Sequence, residues 1–511
     1  MVALDSDFGA ATRAKAPVRA FALSDTDRAY LVAALVALVA VRLLLIFWLP
    51  VTDTTEARYI EIARKMLVSG DWITPQFDWG VPFWGKPPLH TWLSALGMKA
   101  FGINVFGARI FILAASVGAV AIGHGWVRRN LGRDAALAAV AVMASTILFL
   151  GASAFVMTDM VMVLGTTLSM VAFHECTCGA RSRRLWGHLL FVGLAIGLMA
   201  KGPTAVVLTG IPLFLWLLIG NRWRLLGRLP WITGLALLAL LTLPWYIAAE
   251  IKTPGFLRYF IIGEHVERFL VPGWSGDLYG SGHVRPKGMI WAYAPAVFLP
   301  WTGFALALLA KPGGIRDLAR ADAGADGHGW YSYLTVWMLS PLILFTGAAN
   351  ILPAYVLPAV PAAAILLVSL WSRVWGAPGA AMRVAVAAAL AGVAGLFAAL
   401  SVLGHVAPGR LTSKTDLMLV EAARDIDPDM VLTYWGGRSF SGEFYTRGRA
   451  RTETDADGIR ALVGNGRRDA IAAPPQTAPD LAAIAGPRFR NAGQYGRYIL
   501  FVETPDAGDR P

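Results

Sequence analysis

The chain has 511 residues, 56% of them hydrophobic and 15% charged, with a mean hydropathy of +0.55. Such a composition excludes an ordinary soluble enzyme and a disordered chain, and the expectation is a polytopic bundle of membrane helices. The net charge of +12 would suit a nucleic-acid binder, but Lys and Arg gather in the cytoplasmic loops of membrane proteins for topological reasons, so the expected partner is the lipid bilayer and no nucleic acid.

Residues 1–28 are mixed polar sequence and read as a cytoplasmic N-terminal tail, and the apolar run that follows to Pro50 is long enough to span and stay. Crossing a hydrocarbon core takes roughly 20 apolar residues. Eleven stretches approach that, near 29–49, 107–127, 134–150, 156–174, 188–200, 204–219, 231–249, 289–310, 331–347, 351–372 and 380–404. The expected membrane domain therefore runs from 29 to 404 with about 11–13 helices. Two long connections interrupt it, at 50–106 and 250–288. Lys201-Gly202-Pro203 is either a loop or a kink within a longer helix.

Basic residues alternate between connections. Arg13, Lys15, Arg19 and Arg28, then Arg128, Arg129 and Arg133, then Arg181, Arg183 and Arg184 mark one side, joined by Arg222, Arg224, Arg228, Lys311, Arg316, Arg320, Arg373 and Arg383. The positive-inside rule assigns these to the cytoplasm and puts 50–106, 250–288 and the C-terminus outside. After about residue 405 hydropathy falls. Segments such as Met430 to Trp435 and Tyr498 to Val502 read as short strands, so residues 405–511 are expected to form a small soluble α/β domain. The two cysteines, Cys176 and Cys178, are too close for an ordinary bridge and too few to cage zinc.

The unusual polar residues fall on the outer set. Asp53 and Glu56 follow the first helix directly, with Arg58 and Tyr59 behind them on a run that patterns as a helix lying in the interface. Simple helix capping is the plain alternative for both carboxylates. Trp84-Gly85-Lys86-Pro87-Pro88 closes the same loop, and a carboxylate near fixed cations suits a base beside a phosphate clamp. Asp159 and Lys201 lie at the ends of membrane segments, where a charge is costly and points to function. In the second loop Arg258, His265 and Arg268 are available to a phosphate. Glu264 beside His265 is the candidate for a divalent cation, the one cofactor considered. Tyr355, in a segment with Pro353 and Pro358, sits near the outer surface. A transporter would place such groups near the midplane and show related halves, and neither feature is present.

As an ordered set these motifs resemble the aminoarabinose transferase and protein O-mannosyltransferase superfamily, which has the C-type glycosyltransferase (GT-C) fold. The match is carried by Glu56-Ala57-Arg58-Tyr59 through Leu67, Ser69-Gly70-Asp71-Trp72, Lys86-Pro87-Pro88-Leu89, Phe101-Gly102-Ile103-Asn104 with Ala108-Arg109, Thr158-Asp159, Lys201-Gly202-Pro203, Gly263-Glu264-His265 and Leu352-Pro353-Ala354-Tyr355 to Pro361. The resemblance implies an all-α polytopic bundle with amphipathic helices in the first outer loop. It also implies inverting transfer from an undecaprenyl-phosphate sugar to lipid A, another envelope glycan or a protein, at the periplasmic face of a bacterial inner membrane. An outer-loop Asp would sit near the acceptor, and basic residues would hold the lipid phosphate. Asp53, Glu56 and Asp159 are the catalytic candidates that follow, with Arg58, Tyr59, Lys86, Lys201, Arg258 and Tyr355 at the donor phosphate. The family's first-loop motif is Asp-Glu shortly before Arg-Tyr, whereas Thr55 precedes Glu56 here. Either Asp53 reaches the reacting position or Glu56 takes the role, and Asp53 is the expectation. Gly85 stands where the family often has Glu, removing a carboxylate that would hold a cation. The alternative from another class is a flippase for polyprenyl-linked sugars.

Overall fold

The computed structural model describes residues 21–179, 182–280, 282–311, 329–375 and 379–504. Arg13, Lys15, Arg19, Arg181, Arg316 and Arg320 lie outside the described residues.

The chain opens with membrane helix α1 (Asp25–Trp48), capped by Ser24. The first loop then holds α2 (Thr55–Ser69), the hairpin β1 (Gln76–Asp78) and β2 (Val81–Pro82), and α3 (Leu89–Phe101). Next come α4 (Val105–Leu131), α5 (Arg133–Ser145), α6 (Ile147–Ala152), α7 (Thr158–Cys178), α8 (Arg183–Lys201), α9 (Pro203–Ile219) and α10 (Trp231–Lys252). After the second loop the chain continues through Met289–Val297 and Trp301–Ala310, then Trp330–Phe345, Val360–Val374 and Ala380–Val406.

All eleven apolar stretches fall on helix, and among the described residues seven helices are long and apolar enough to cross a membrane. The pair Met289–Val297 and Trp301–Ala310 is long and apolar enough only when taken together, and it is bent by 106° at the break, the shape of a broken span or a re-entrant loop. Pro295 and Pro300 occupy that segment, and each removes a backbone donor from the helical ladder. Lys201-Gly202-Pro203 is a break between two helices, since Gly202 takes φ 77° and ends α8. A Cβ there would lie 2.4 Å from the Phe260 ring.

α7 is the buried axis of the bundle, and its antiparallel partner α8 approaches unusually closely. A Cβ on Gly193 would lie 2.4 Å from Ser169 Oγ and 2.7 Å from the Gly165 carbonyl, and one on Gly165 would meet Gly197 N at 2.7 Å. Small residues at this seam let the two backbones touch, as membrane helices require in the absence of a hydrophobic drive between them. The seam brings the start of α7 against the end of α8.

The C-terminal domain is a five-stranded mixed sheet of order β4-β3-β5-β7-β6, built from β3 (Val431–Trp435), β4 (Arg451–Glu453), β5 (Asp469–Ala473), β6 (Phe489–Tyr495) and β7 (Tyr498–Glu503). β3 pairs in parallel with β4 and β5, while β7 runs antiparallel to β5 and β6. Leu419, Val420 and Ala423 pack on one face of the sheet, and Ile459, Leu481 and Ala485 on the other. The buried run in β5 is the signature of a strand covered on both faces.

α2 differs from the expected interfacial helix. It is buried on nearly every face, between α3 and the short helix Phe440–Tyr445 of the C-terminal domain. Its charged residues are satisfied within protein: Arg64 bonds Glu61 at 2.6 Å, and Lys65 bonds Glu443 at 3.2 Å. These contacts put the first loop and the C-terminal domain on one side of the membrane. The opposite side carries the start of α1, where Arg28 pairs with Asp134 at 3.0 Å.

Candidate active site

A cavity of about 360 Å³ lies beneath the C-terminal domain, at the shared end of α2, α7, α8 and the second loop. Arg58, Lys86, Lys201 and Arg268 line it, opposed by Asp159, Glu264 and Asp277. Four cations against three carboxylates leave an excess of positive charge in a partly dehydrated space, where electrostatic interactions are stronger than in water.

The α7–α8 seam delivers one pair. Lys201, the last residue of α8, donates to Asp159 Oδ1 at 2.5 Å, while Thr158 Oγ1 donates to Asp159 Oδ2 at 3.3 Å. The same ammonium lies 4.5 Å from the centre of the Tyr355 ring. Both charged residues are buried, so neither is snorkelling to water.

The second pair comes from a π-helical segment, Arg258–Glu267. π-Helical turns are rare and concentrate at functional sites. This one directs Glu264 inward, where it accepts from Lys86 at 2.6 Å, Arg268 at 2.8 Å and the Tyr259 hydroxyl at 3.3 Å. Burial opposes ionisation of Glu264, but Lys86 and Arg268 outweigh it and hold the carboxyl at about 2. Arg268 also reaches Asp277 at 3.2 Å. His265 has Nδ1 2.7 Å from the Phe260 carbonyl and Nε2 3.1 Å from the Lys201 carbonyl. Burial beside Lys86 lowers its pKa despite those two carbonyls.

Arg58 is fixed by donation to the Tyr279 carbonyl at 2.6 Å, and its Nε is buried without a protein partner. Tyr59, Phe83 and Tyr279 wall the cavity beside it. Gly85 belongs to this wall, because a Cβ would meet the Phe83 ring at 2.9 Å. The ring occupies the space beside the backbone where the family's Glu would project.

Of the residues singled out in the sequence, Arg58, Tyr59, Lys86, Asp159, Lys201, Glu264, His265 and Tyr355 meet at this cavity. Three do not. Arg258, the first residue of the π-helical segment, is exposed, whereas Glu264 of the same segment is buried at the cavity. Glu56 is fully buried behind the cavity in a bidentate pair with Arg109, at 2.8 and 2.7 Å. Asp53 is turned toward the C-terminal domain, with Ser439, Ser441 and Arg497 on its carboxylate. Nor does either carboxylate act as a helix cap, since the N-cap position of α2 is Thr54, which makes no side-chain cap bond. Thr54 and Thr55 face the cavity instead.

A divalent cation does not fit at Glu264 and His265. Both carboxylate oxygens of Glu264 are taken by cationic side chains that a metal would have to displace, and both ring nitrogens of His265 face carbonyls. Among the described residues no group of three or more His, Cys, Asp and Glu side chains could hold a metal ion.

Asp277, Tyr279, His283, Asn350 and Phe440 line the cavity without having been marked by sequence. Arg268, read from the sequence as available to a phosphate, lines it as well. The others reach the cavity only through tertiary contact.

Comparison with known proteins gives a consistent picture. Residues 28–260 match the family model described as dolichyl-phosphate-mannose-protein mannosyltransferase. A protein of Edwardsiella ictaluri named undecaprenyl phosphate-alpha-4-amino-4-deoxy-L-arabinose arabinosyl transferase is 31% identical over 358 residues, covering 68% of this chain and 60% of that protein. The protein of the same name from Pseudomonas aeruginosa strain PAO1 is 34% identical over 334 residues, covering 63% of this chain and 55% of the relative. The matched stretch thus spans less than two thirds of these relatives. The crystal structure of ArnT from Cupriavidus metallidurans bound to undecaprenyl phosphate superposes with a TM-score of 0.78 at 19% identity, over 94% of this chain and 99% of that one. The archaeal oligosaccharyltransferase AglB from Archaeoglobus fulgidus gives 0.54 at 13% identity, over 95% of this chain and 75% of that one. In motifs and sequence the chain is similar to the ArnT-like membrane glycosyltransferases, and its fold is the GT-C fold that their crystal structure shows.

Proposed function

We propose that the protein transfers a sugar from a polyprenyl phosphate to lipid A or a related envelope acceptor, with inversion, at the periplasmic face of the bacterial inner membrane. The observation that carries this reading is the cluster of Arg58, Lys86, Lys201 and Arg268 at one end of the bundle, around a cavity that also holds Asp159. Lys86 and Arg268 are pre-positioned by Glu264 and receive the donor phosphate, with Arg58 beside them. As the bond between the anomeric carbon and the phosphate oxygen breaks, the leaving phosphate gains charge, and cations fixed in advance stabilise it without reorganisation. The acceptor oxygen bonds to the opposite face of that carbon. Asp159, steadied by Lys201 and Thr158, takes the proton of a hydroxyl acceptor. No step uses a metal.

The relatives at 31% and 34% identity carry names that specify an undecaprenyl-phosphate-linked sugar as donor, which supports the polyprenyl phosphate donor proposed here. A flippase is disfavoured because the cations gather at one end rather than along a path through the bundle.

Binding of undecaprenyl phosphate to the purified protein tests the phosphate site. A charge-assisted hydrogen bond is worth about 1.5–3 kcal/mol, so Lys86→Met is expected to raise Kd roughly 10- to 100-fold. Arg258→Met is expected to bind like wild type. The opposite ranking would remove the phosphate from this cavity.

A further inference from the structure

Phe440 is the one side chain from the C-terminal domain among the described cavity-lining residues. Its ring packs 5.5 Å from Phe77, which in turn touches Phe83 and Tyr279, so rings from three separate segments close one wall. The Arg438 guanidinium lies 4.7 Å from the Phe440 ring centre and 5.4 Å from that of Phe77. This wall lies under the soluble domain. The donor's isoprenoid tail has to enter from the bilayer, which leaves the wall to the acceptor.

The attachment that sets Phe440 is Asp53. Its Oδ1 accepts from the Ser441 amide at 3.0 Å, its Oδ2 accepts from Ser441 Oγ at 3.0 Å and Ser439 Oγ at 3.2 Å, and Arg497 closes the cluster. The Asp53 amide donates to the Lys414 carbonyl at 2.7 Å. Ser439 and Ser441 flank Phe440 in sequence. On the other side, Asp53 immediately precedes Thr54 and Thr55, which face the cavity. A buried carboxylate is costly unless fully satisfied, and the groups that satisfy this one, Ser439, Ser441 and Arg497, come from the C-terminal domain.

We propose that the C-terminal domain completes the transfer cavity, with Phe440 a specificity-determining wall for the acceptor and Asp53 the positioning residue that sets it. An aromatic face suits the C–H face of a sugar ring, and the neighbouring Tyr279 and Phe83 extend the same surface. The identity of the passing substrate rests on the transferase reading. The latch itself rests only on geometry.

The test compares wild type with Asp53→Asn, Phe440→Ala, Phe440→Tyr and the Asp53→Asn/Phe440→Ala double variant in the full-length protein. Two readouts are taken: transfer from an undecaprenyl-phosphate sugar pool to a lipid A extract, and amide hydrogen exchange across Ser439–Tyr445. Asp53→Asn and Phe440→Ala are each expected to raise the acceptor KM by about 10-fold with kcat within about 3-fold, Phe440→Tyr to restore it, and the double variant to equal Phe440→Ala. Exchange at Ser441 and Gly442 is expected to accelerate in Asp53→Asn. The proposal falls if Asp53→Asn lowers kcat at unchanged acceptor KM, if the two effects add, or if exchange is unaltered. Should wild type transfer nothing, the exchange data alone decide: acceleration upholds the latch while the transferase reading fails, and no change overturns the latch.

Discussion

Glu56 and Asp159 show how two membrane-proximal carboxylates acquire different work. Glu56 has its oxygens on Arg109, which also donates to the Leu49 carbonyl at 2.6 Å, and it accepts from the Val156 amide at 3.3 Å. It staples the end of α1 to α4 and the turn before α7. Asp159 has a single cationic partner and opens on the cavity. Removing one member of a buried ion pair strands the other charge, at a cost of about 3–5 kcal/mol. Glu56→Gln is therefore expected to lower the midpoint of thermal unfolding in detergent sharply and to reduce folded yield. Unchanged stability with lost transfer would return Glu56 to the chemistry. Most of the charged cavity residues were legible in the sequence because a charge at a membrane boundary is conspicuous. The destinations of Asp53 and Glu56 were not, since residues three apart at the start of one helix face different neighbours, and those neighbours, Ser439 and Arg109, lie far away in sequence.

Among elements, the α7–α8 seam and the π-helical segment do most to shape the site. Gly165, Gly193 and Gly197 bring the two helices together, and only at that spacing does Lys201 meet Asp159 at 2.5 Å. Adding a methyl group to a tight seam forces a backbone shift costing about 1–3 kcal/mol. Gly193→Ala is expected to lower thermal stability and weaken undecaprenyl phosphate binding together, whereas Gly210→Ala, with nothing within 4 Å of its Cβ, should change neither. Loss of stability with full binding would mean that the seam does not set the site. Hydropathy revealed these helices but not their closeness, because glycine in a membrane helix carries no mark of what it touches. The π-helical winding was likewise invisible, and helical periodicity left Arg258 and Arg268 equally available, whereas tertiary packing exposes Arg258 and brings Arg268 to the cavity.

The whole molecule divides its charge by side. The start of α1, with Arg28 and Asp134, lies opposite the end where the first loop, the second loop and the C-terminal domain converge over the cavity. That convergence follows from contacts rather than from counting helices, which matters because the helix pair at Met289–Ala310 is bent by 106° and parity alone would be fragile. The soluble domain was legible as short strands after residue 405, and its polar surface cannot lie in lipid. Its docking onto α2 was not legible. The paired charges Lys65–Glu443 and Arg438–Asp78 look like ordinary solvated residues until the two segments meet. The measurement that bears most directly on the central claim is sugar transfer in proteoliposomes from a radiolabelled undecaprenyl-phosphate sugar pool to a lipid A extract, comparing wild type with Asp159→Asn after both are shown to bind undecaprenyl phosphate. Wild type is expected to transfer and Asp159→Asn to lose about 100-fold or more in kcat with donor binding retained, as removal of a proton-accepting group requires. Full turnover in Asp159→Asn would contradict its assigned role, and the absence of transfer by wild type from every donor in the pool would contradict the function itself.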